Sequence, residues 1–193
     1  MFKKEKIIIM FTAVLLLTLA TSLAVQAQED YKGKTYYLAT NIFYEKPEVI
    51  YSTNYHKGSI LALGTKVTVK DVSRKGISFV DENGVKFKIV YVPEHAASNE
   101  TVWNHFRRYF TSEDPMGPDG SFSKCTPEEK ENIKIGEIAV GMSRQAILLS
   151  WGYPPSHQTP NLKADIWRYW ESRFVTQSVR FKDDKAYEIK RGA

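Results

Sequence analysis

Cysteine is all but missing: Cys125 is the one thiol in 193 residues. A single thiol excludes an intrachain disulfide, and in an oxidising compartment it is either buried or a candidate for pairing with another chain. A dominant charge is missing too. Lys and Arg number 27 against 22 Asp and Glu; setting aside Lys3, Lys4, Lys6 and Glu5 lowers the net from +5 to +3. Charges of both signs are interspersed, without the basic face or stripe of a nucleic-acid binder, so nucleic acid is excluded as a partner.

Reactive constellations are missing as well. Gly141-Met142-Ser143-Arg144 is not the Gly-x-Ser-x-Gly of a nucleophile elbow. His56, His95, His105 and His157 are scattered, with no pair at metal-ligand spacing. Glu113, Asp114 and Asp119 are acidic without the spacing of a calcium loop, and no Gly-rich phosphate loop occurs. A thiol pair of Cys125 with His105 or His157 would have to form at the end of a flexible stretch. The expectation is a non-enzyme with no catalytic residue, no metal and no cofactor.

What is present begins with the leader. Lys3, Lys4 and Lys6 precede an apolar run from Ile7 to Ala20, and Val25-Gln26-Ala27 supplies small residues where a signal peptidase reads. This predicts a signal peptide over 1–27 and a periplasmic or secreted mature chain from Gln28. The rival is an inner-membrane anchor, since Ile7 to Ala27 reaches the ~20 residues of a bilayer span. Thr18, Thr21, Ser22 and Gln26 make its end polar and favour cleavage. No Cys follows the cut, so there is no lipid anchor.

Residues 28–97 read as β-rich. Strands are expected at Lys34–Thr40, Val49–Thr53, Thr65–Val72, Gly76–Val80 and Val85–Tyr91, the last two joined through Asn83-Gly84. In the return strand Val85, Phe87, Ile89 and Tyr91 share one face and Lys86 and Lys88 the other. Five short strands in so little chain predict a small closed barrel. Leu61-Ala62-Leu63-Gly64-Thr65-Lys66-Val67-Thr68-Val69 resembles the strand entry of bacterial SH3-like domains; the Asn-Val-Arg-Ser-Gly-Pro opening of many wall-binding members is absent.

Residues 98–125 read as a bridging helix and a Pro/Gly/Asp linker. Asn99–Phe110 places Val102, Phe106 and Phe110 on one stripe, widened by Trp103 and Tyr109, with Arg107 and Arg108 near its C-terminal end. Membrane-surface contact is one reading of this helix; closing an end of the barrel is the favoured one.

Residues 126–193 read helix, helix, strand, strand, strand. Thr126-Pro127-Glu128-Glu129 is a capped helix start, Ser143 caps a second helix that Gly152 ends, and Pro154-Pro155 redirect the chain. Val140 to Ile147, Trp151-Gly152-Tyr153-Pro154, Trp167-Arg168-Tyr169 and Val179-Arg180-Phe181-Lys182-Asp183 fall in the order of the BamE (SmpA/OmlA) family, and this region resembles it. The resemblance implies an ααβββ domain with a three-stranded antiparallel sheet that acts by contact in the bacterial envelope, in that family within outer-membrane assembly. β-Lactamase-inhibitor proteins share the shape and are also non-catalytic binders.

The combined expectation is an α+β protein: an N-terminal SH3-like β-barrel, a bridging helix and a C-terminal BamE-like domain. Its candidate partner-binding residues are Trp151, Tyr153, Trp167, Arg168, Tyr169 and Trp170, because aromatics with Arg make interface hot spots. One face of the Asp165–Glu171 strand must pack on the helices, either Trp167 and Tyr169 or Ile166 and Trp170. The expected partners are envelope proteins; a wall-glycan (peptidoglycan) or small-ligand site on Tyr36, Tyr37, Tyr44, Tyr51 and Tyr55, or a secreted inhibitor-like binder, is the alternative.

Overall fold

Thr35–Leu38 (β1) is the first strand of the described chain, residues 31–192 in this computed structural model; the expected leader, 1–27, lies outside the described residues. Ile42–Tyr44 (β2), Ile50–Tyr51 (β3) and Ser59–Leu61 (β4) are short, and Lys66–Ser73 (β5), Gly76–Asp81 (β6) and Lys86–Val90 (β7) form a longer meander. Alternation drives the longer strands: Phe87 and Ile89 are buried while Lys86 and Lys88 stay out. In β5, Val67 and Val69 point inward, a register shift follows between Val69 and Asp71, and Val72 re-enters the core three residues on. Asn83-Gly84 closes the β6–β7 hairpin; Gly84 has a positive φ, and the Asp81 carboxylate accepts the N–H groups of Asn83 and Val85.

The chain is α+β, and its largest sheet is a curled half-barrel of six strands in the order β3-β7-β6-β5-β1-β8, where β8 is Phe110–Thr111. The small barrel expected from five strands is a curled half-barrel. β2 and β4 leave the sheet and pair with each other, because Phe43 of β2 and Leu63 just after β4 bury in the core of the C-terminal half. Helix α1 (Val102–Tyr109) packs Val102, Phe106 and Tyr109 on the half-barrel. The stretch 98–125 therefore divides: its helix joins the first core, and its Pro/Gly segment folds on itself through bonds such as Phe122 N–H to Pro115 O, 3.0 Å.

The C-terminal half runs α2 (Pro127–Ile135), α3 (Arg144–Trp151), then β9 (Ile166–Trp170), β10 (Thr176–Lys182) and β11 (Lys185–Arg191) as an antiparallel sheet in the order β11-β10-β9. Thr126 and Glu129 form the capping box at the start of α2. Glu129 does more than cap. Its other carboxylate oxygen accepts Ser143 N–H at 2.7 Å and Lys185 Nζ at 3.3 Å, tying α2 to the start of α3 and to β11. Arg144 lies 4.1 Å above the Phe181 ring and donates to Asp184 and to the carbonyls of Leu162 and Ala164.

Two asparagines fasten the halves together by one repeated arrangement. The side-chain oxygen of Asn41 accepts Leu63 N–H from its own half, and its amide donates to Ile133 O in the last turn of α2, 2.7 Å. Asn54 likewise accepts Phe43 N–H and donates to Trp151 O at the end of α3, 2.9 Å. Helix ends carry carbonyls short of intrahelical partners; Trp151 O takes its bond from across the seam, and Ile133 O adds the Asn41 amide to the Gly136 N–H of its own C-cap. Asn54 holds φ +51°, a left-handed backbone that asparagine tolerates better than most residues.

Candidate functional site

The six residues singled out for partner contact separate on burial. Trp167 and Tyr169 are 0% and 1% exposed on the inward face of β9, and Trp151 is 6% exposed on α3. These three are corrected to packing residues. Alternation along β9 sends Trp167 and Tyr169 into the second core, where the Tyr169 hydroxyl donates to Gly152 O and Trp151 Nε1–H donates to Gly136 O. Arg168 is exposed on the opposite face with Ile166, and Trp170 on that face is half-buried. Tyr153 is half-buried beneath the Arg108 guanidinium, 5.4 Å from its ring, in a mixed-charge groove of about 510 Å³ with Arg107, Lys124 and the 113–121 loop.

A second groove, about 460 Å³, opens along the same seam and gathers exposed and half-buried aromatics from both halves. Tyr44 comes from β2, Tyr51 from β3 and Tyr55 from the loop beyond it; Phe174 reaches over from the β9–β10 turn. Phe174 is 79% exposed, Tyr51 47% and Val49 42%. Tyr51 and Tyr55 meet edge to face at 5.9 Å, and Tyr44 rests edge-on against the buried Phe87 ring at 5.5 Å. Lys57 and Arg173 line the groove against one carboxylate, Glu45. An apolar, aromatic concavity with a few charged groups is the usual shape of a binding site.

Sequence reasoning had Tyr44, Tyr51 and Tyr55 as one candidate set, and the fold brings these three together. Tyr36 and Tyr37 of the same set are elsewhere on β1; Tyr36 packs against Tyr31 and Phe106. Phe174 was missed. Its signal is an aromatic in the polar turn Glu171-Ser172-Arg173-Phe174, which has no core to fill.

Cys125 and His105 are buried. Cys125 is buried in the second core, and burial pushes its thiol pKa up, away from a reactive thiolate. His56 is half-buried among Phe43, Trp151 and Tyr169, with Nε2 3.1 Å from Trp151 O. Burial lowers its pKa to about 4, despite the helix-end carbonyl that favours the charged form. His105 on α1 is stacked on Tyr109 at 4.3 Å, and burial with the nearby Arg108 lowers it to about 3. Among the described residues no three His, Cys, Asp or Glu side chains converge as a metal site, and no helix is long and apolar enough to cross a membrane. No family model, curated protein or solved structure matches this chain.

Proposed function

We propose that this chain is an exported, non-catalytic binding protein of the bacterial envelope that takes an extended segment of a protein partner in the aromatic seam groove. One observation carries the reading: four aromatic side chains from separate parts of the sequence, Tyr44, Tyr51, Tyr55 and Phe174, line one groove, and two of them, Tyr51 and Phe174, are exposed there instead of filling a core. Two cations against one carboxylate favour a segment that carries negative charge beside its apolar side chains. In this reading the half-barrel derives from an SH3-like domain and the ααβββ half from a BamE-like one. The order of the C-terminal elements and the motifs on them support the second assignment. Export rests on the leader pattern of residues 1–27.

A photo-reactive residue at Phe174 in intact cells tests this. Capture of one defined envelope protein, suppressed by Tyr51→Ala in a chain that still melts as the wild type does, is the expected result. An empty lane, or capture indifferent to Tyr51, overturns it. The tyrosine hydroxyls around the groove favour a second reading, a wall-glycan site, since a phenol offers a flat apolar face and a polar tip together. Sedimentation with purified peptidoglycan separates the two: a protein binder stays in solution.

A further inference from the structure

Three aromatic rings stack at the seam beside the groove. His95, in the turn Pro93–His95, lies 5.0 Å from the His157 ring at 18°, and 5.5 Å from Trp170 at 19°. His157 completes the group 6.2 Å from Trp170. The three come from three segments: the turn after β7, the loop after Pro154-Pro155, and the end of β9. His157 Nδ1 donates to His95 O at 3.0 Å, and His95 Nδ1 shares a 2.6 Å hydrogen bond with Thr53 Oγ1. The Trp170 indole N–H is buried without a hydrogen-bond partner among the described residues, so this side of the ring is held by stacking.

Thr53 links the stack to the groove, because it lies between Tyr51 and Tyr55 in the chain. Its neighbour Ser52 accepts Val92 N–H at 2.9 Å and donates its own N–H to Val90 O. The segment leading into His95 therefore braces the loop that carries two of the groove's aromatics. We infer that the His95–His157–Trp170 stack is a proton-operated latch that holds the aromatic groove formed while both imidazoles are neutral and loosens it when both carry charge. Two cationic rings stacked at this distance repel each other, and neither has a carboxylate hydrogen-bonded to it to offset the charge.

The surrounding charges are few. Glu94 lies on the same turn as His95. Glu100 and Arg108, in the small cavity that also borders His95, pair with each other at 2.9 Å. Tyr91, His105, Tyr109 and Tyr153 border the same cavity. Burial and the neighbouring His157 hold His95 below its ordinary value against the opposing pull of Glu94, so it charges in more acid solution than a free imidazole does. His56 and His105 stay neutral down to pH 5, since their values are about 4 and 3.

The groove's binding role is the reading proposed above, but the latch is tested without any ligand. NMR of the mature chain between pH 7.5 and 5 follows the His95 and His157 ring protons, the Trp170 indole and the Tyr55 ring. The expected result is that the Trp170 and Tyr55 signals move together with the His95 ring protons as pH falls. His157→Phe keeps an aromatic ring in the stack and removes one charge. It leaves a single His95 step at higher pH, with Trp170 and Tyr55 flat to pH 5. His95→Phe is the mirror variant should the first not fold. Independent titration of the two imidazoles with Trp170 and Tyr55 unmoved overturns the latch, as does a wild-type response in His157→Phe. Such a failure leaves the binding reading standing, while an empty crosslinking lane removes that reading and leaves the titration intact.

Discussion

Along one stretch of the seam, Asn41 and Asn54 commit their side-chain amides to helix ends in the other half, and the aromatics around them are closed over. Along another, Tyr51, Tyr55 and Phe174 line an open groove, with Tyr51 and Phe174 exposed. Both stretches join the same two halves and both are rich in rings. They differ in where the polar groups go. In the closed stretch the two asparagine amides bond buried groups far apart in the sequence, which fixes a single geometry. In the open stretch the rings are braced from behind, by Phe87 and by the bonds of Ser52 and Thr53, and their free faces are available. Stability and recognition are thus assigned to different lengths of one interface.

The sharpest way to break that division is at the clamps. Asn54→Ala strands the buried Phe43 N–H, takes a partner from Trp151 O and leaves alanine at φ +51°; a loss of about 3 kcal/mol is expected from urea unfolding. Asn41→Ala removes the equivalent pair and is expected to cost about 2 kcal/mol, since its backbone is not left-handed. If the halves melt separately in either variant, the seam is what makes them one cooperative unit.

Acid attacks the same closed region. Native His56 and His105 have pKa values below the ordinary 6.5, so their contribution is complete above that pH and is lost as pH falls toward 4 and 3. The loss is about 3 kcal/mol apiece by pH 4, read as a falling Tm, and His105→Leu flattens the curve by its share. A smaller effect is expected at Glu129. Burial pushes its carboxyl up, but the N–H groups of Ser143 and Thr126, with the Ser143 hydroxyl and Lys185, outweigh this and hold it below the usual range. Its stabilisation is present above the usual carboxylate range and lost as pH falls through it; Glu129→Gln costs about 1.5 kcal/mol at pH 7 in chemical denaturation. The smallest effect sharpens the contrast most. Phe174→Ala and Tyr51→Ala change stability by no more than about 0.5 kcal/mol, while partner capture at the groove is lost.

Much of the local structure was legible because it depends on neighbours in sequence. Thr126 and Ser143 cap helices through residues three positions on, Gly152 ends one, and Asn83-Gly84 turns a hairpin. The candidate surface was half legible. Aromatic alternation in β9 leaves two possible inward faces, and the sequence offers no means of choosing between Trp167 with Tyr169 and Ile166 with Trp170. Packing chose the first pair, since those rings meet Phe181 and Trp151 in the second core. The histidines read as scattered because no two sit at ligand spacing, yet His95 and His157, 62 positions apart, stack.

The helix, helix, strand, strand, strand order of the C-terminal half and the likeness of the leader to an export signal follow from composition and short-range pattern alone. What the tertiary structure decided is the open half-barrel, the ordered seam and the position of its aromatics. Phe43 and Leu63 gain more by entering the second core than by closing the first barrel, and that draws β2 and β4 out of the sheet. Asn41 and Asn54 then supply the polar bonds such burial requires, and Tyr51, Tyr55 and Phe174 are left around a groove that no local pattern encodes.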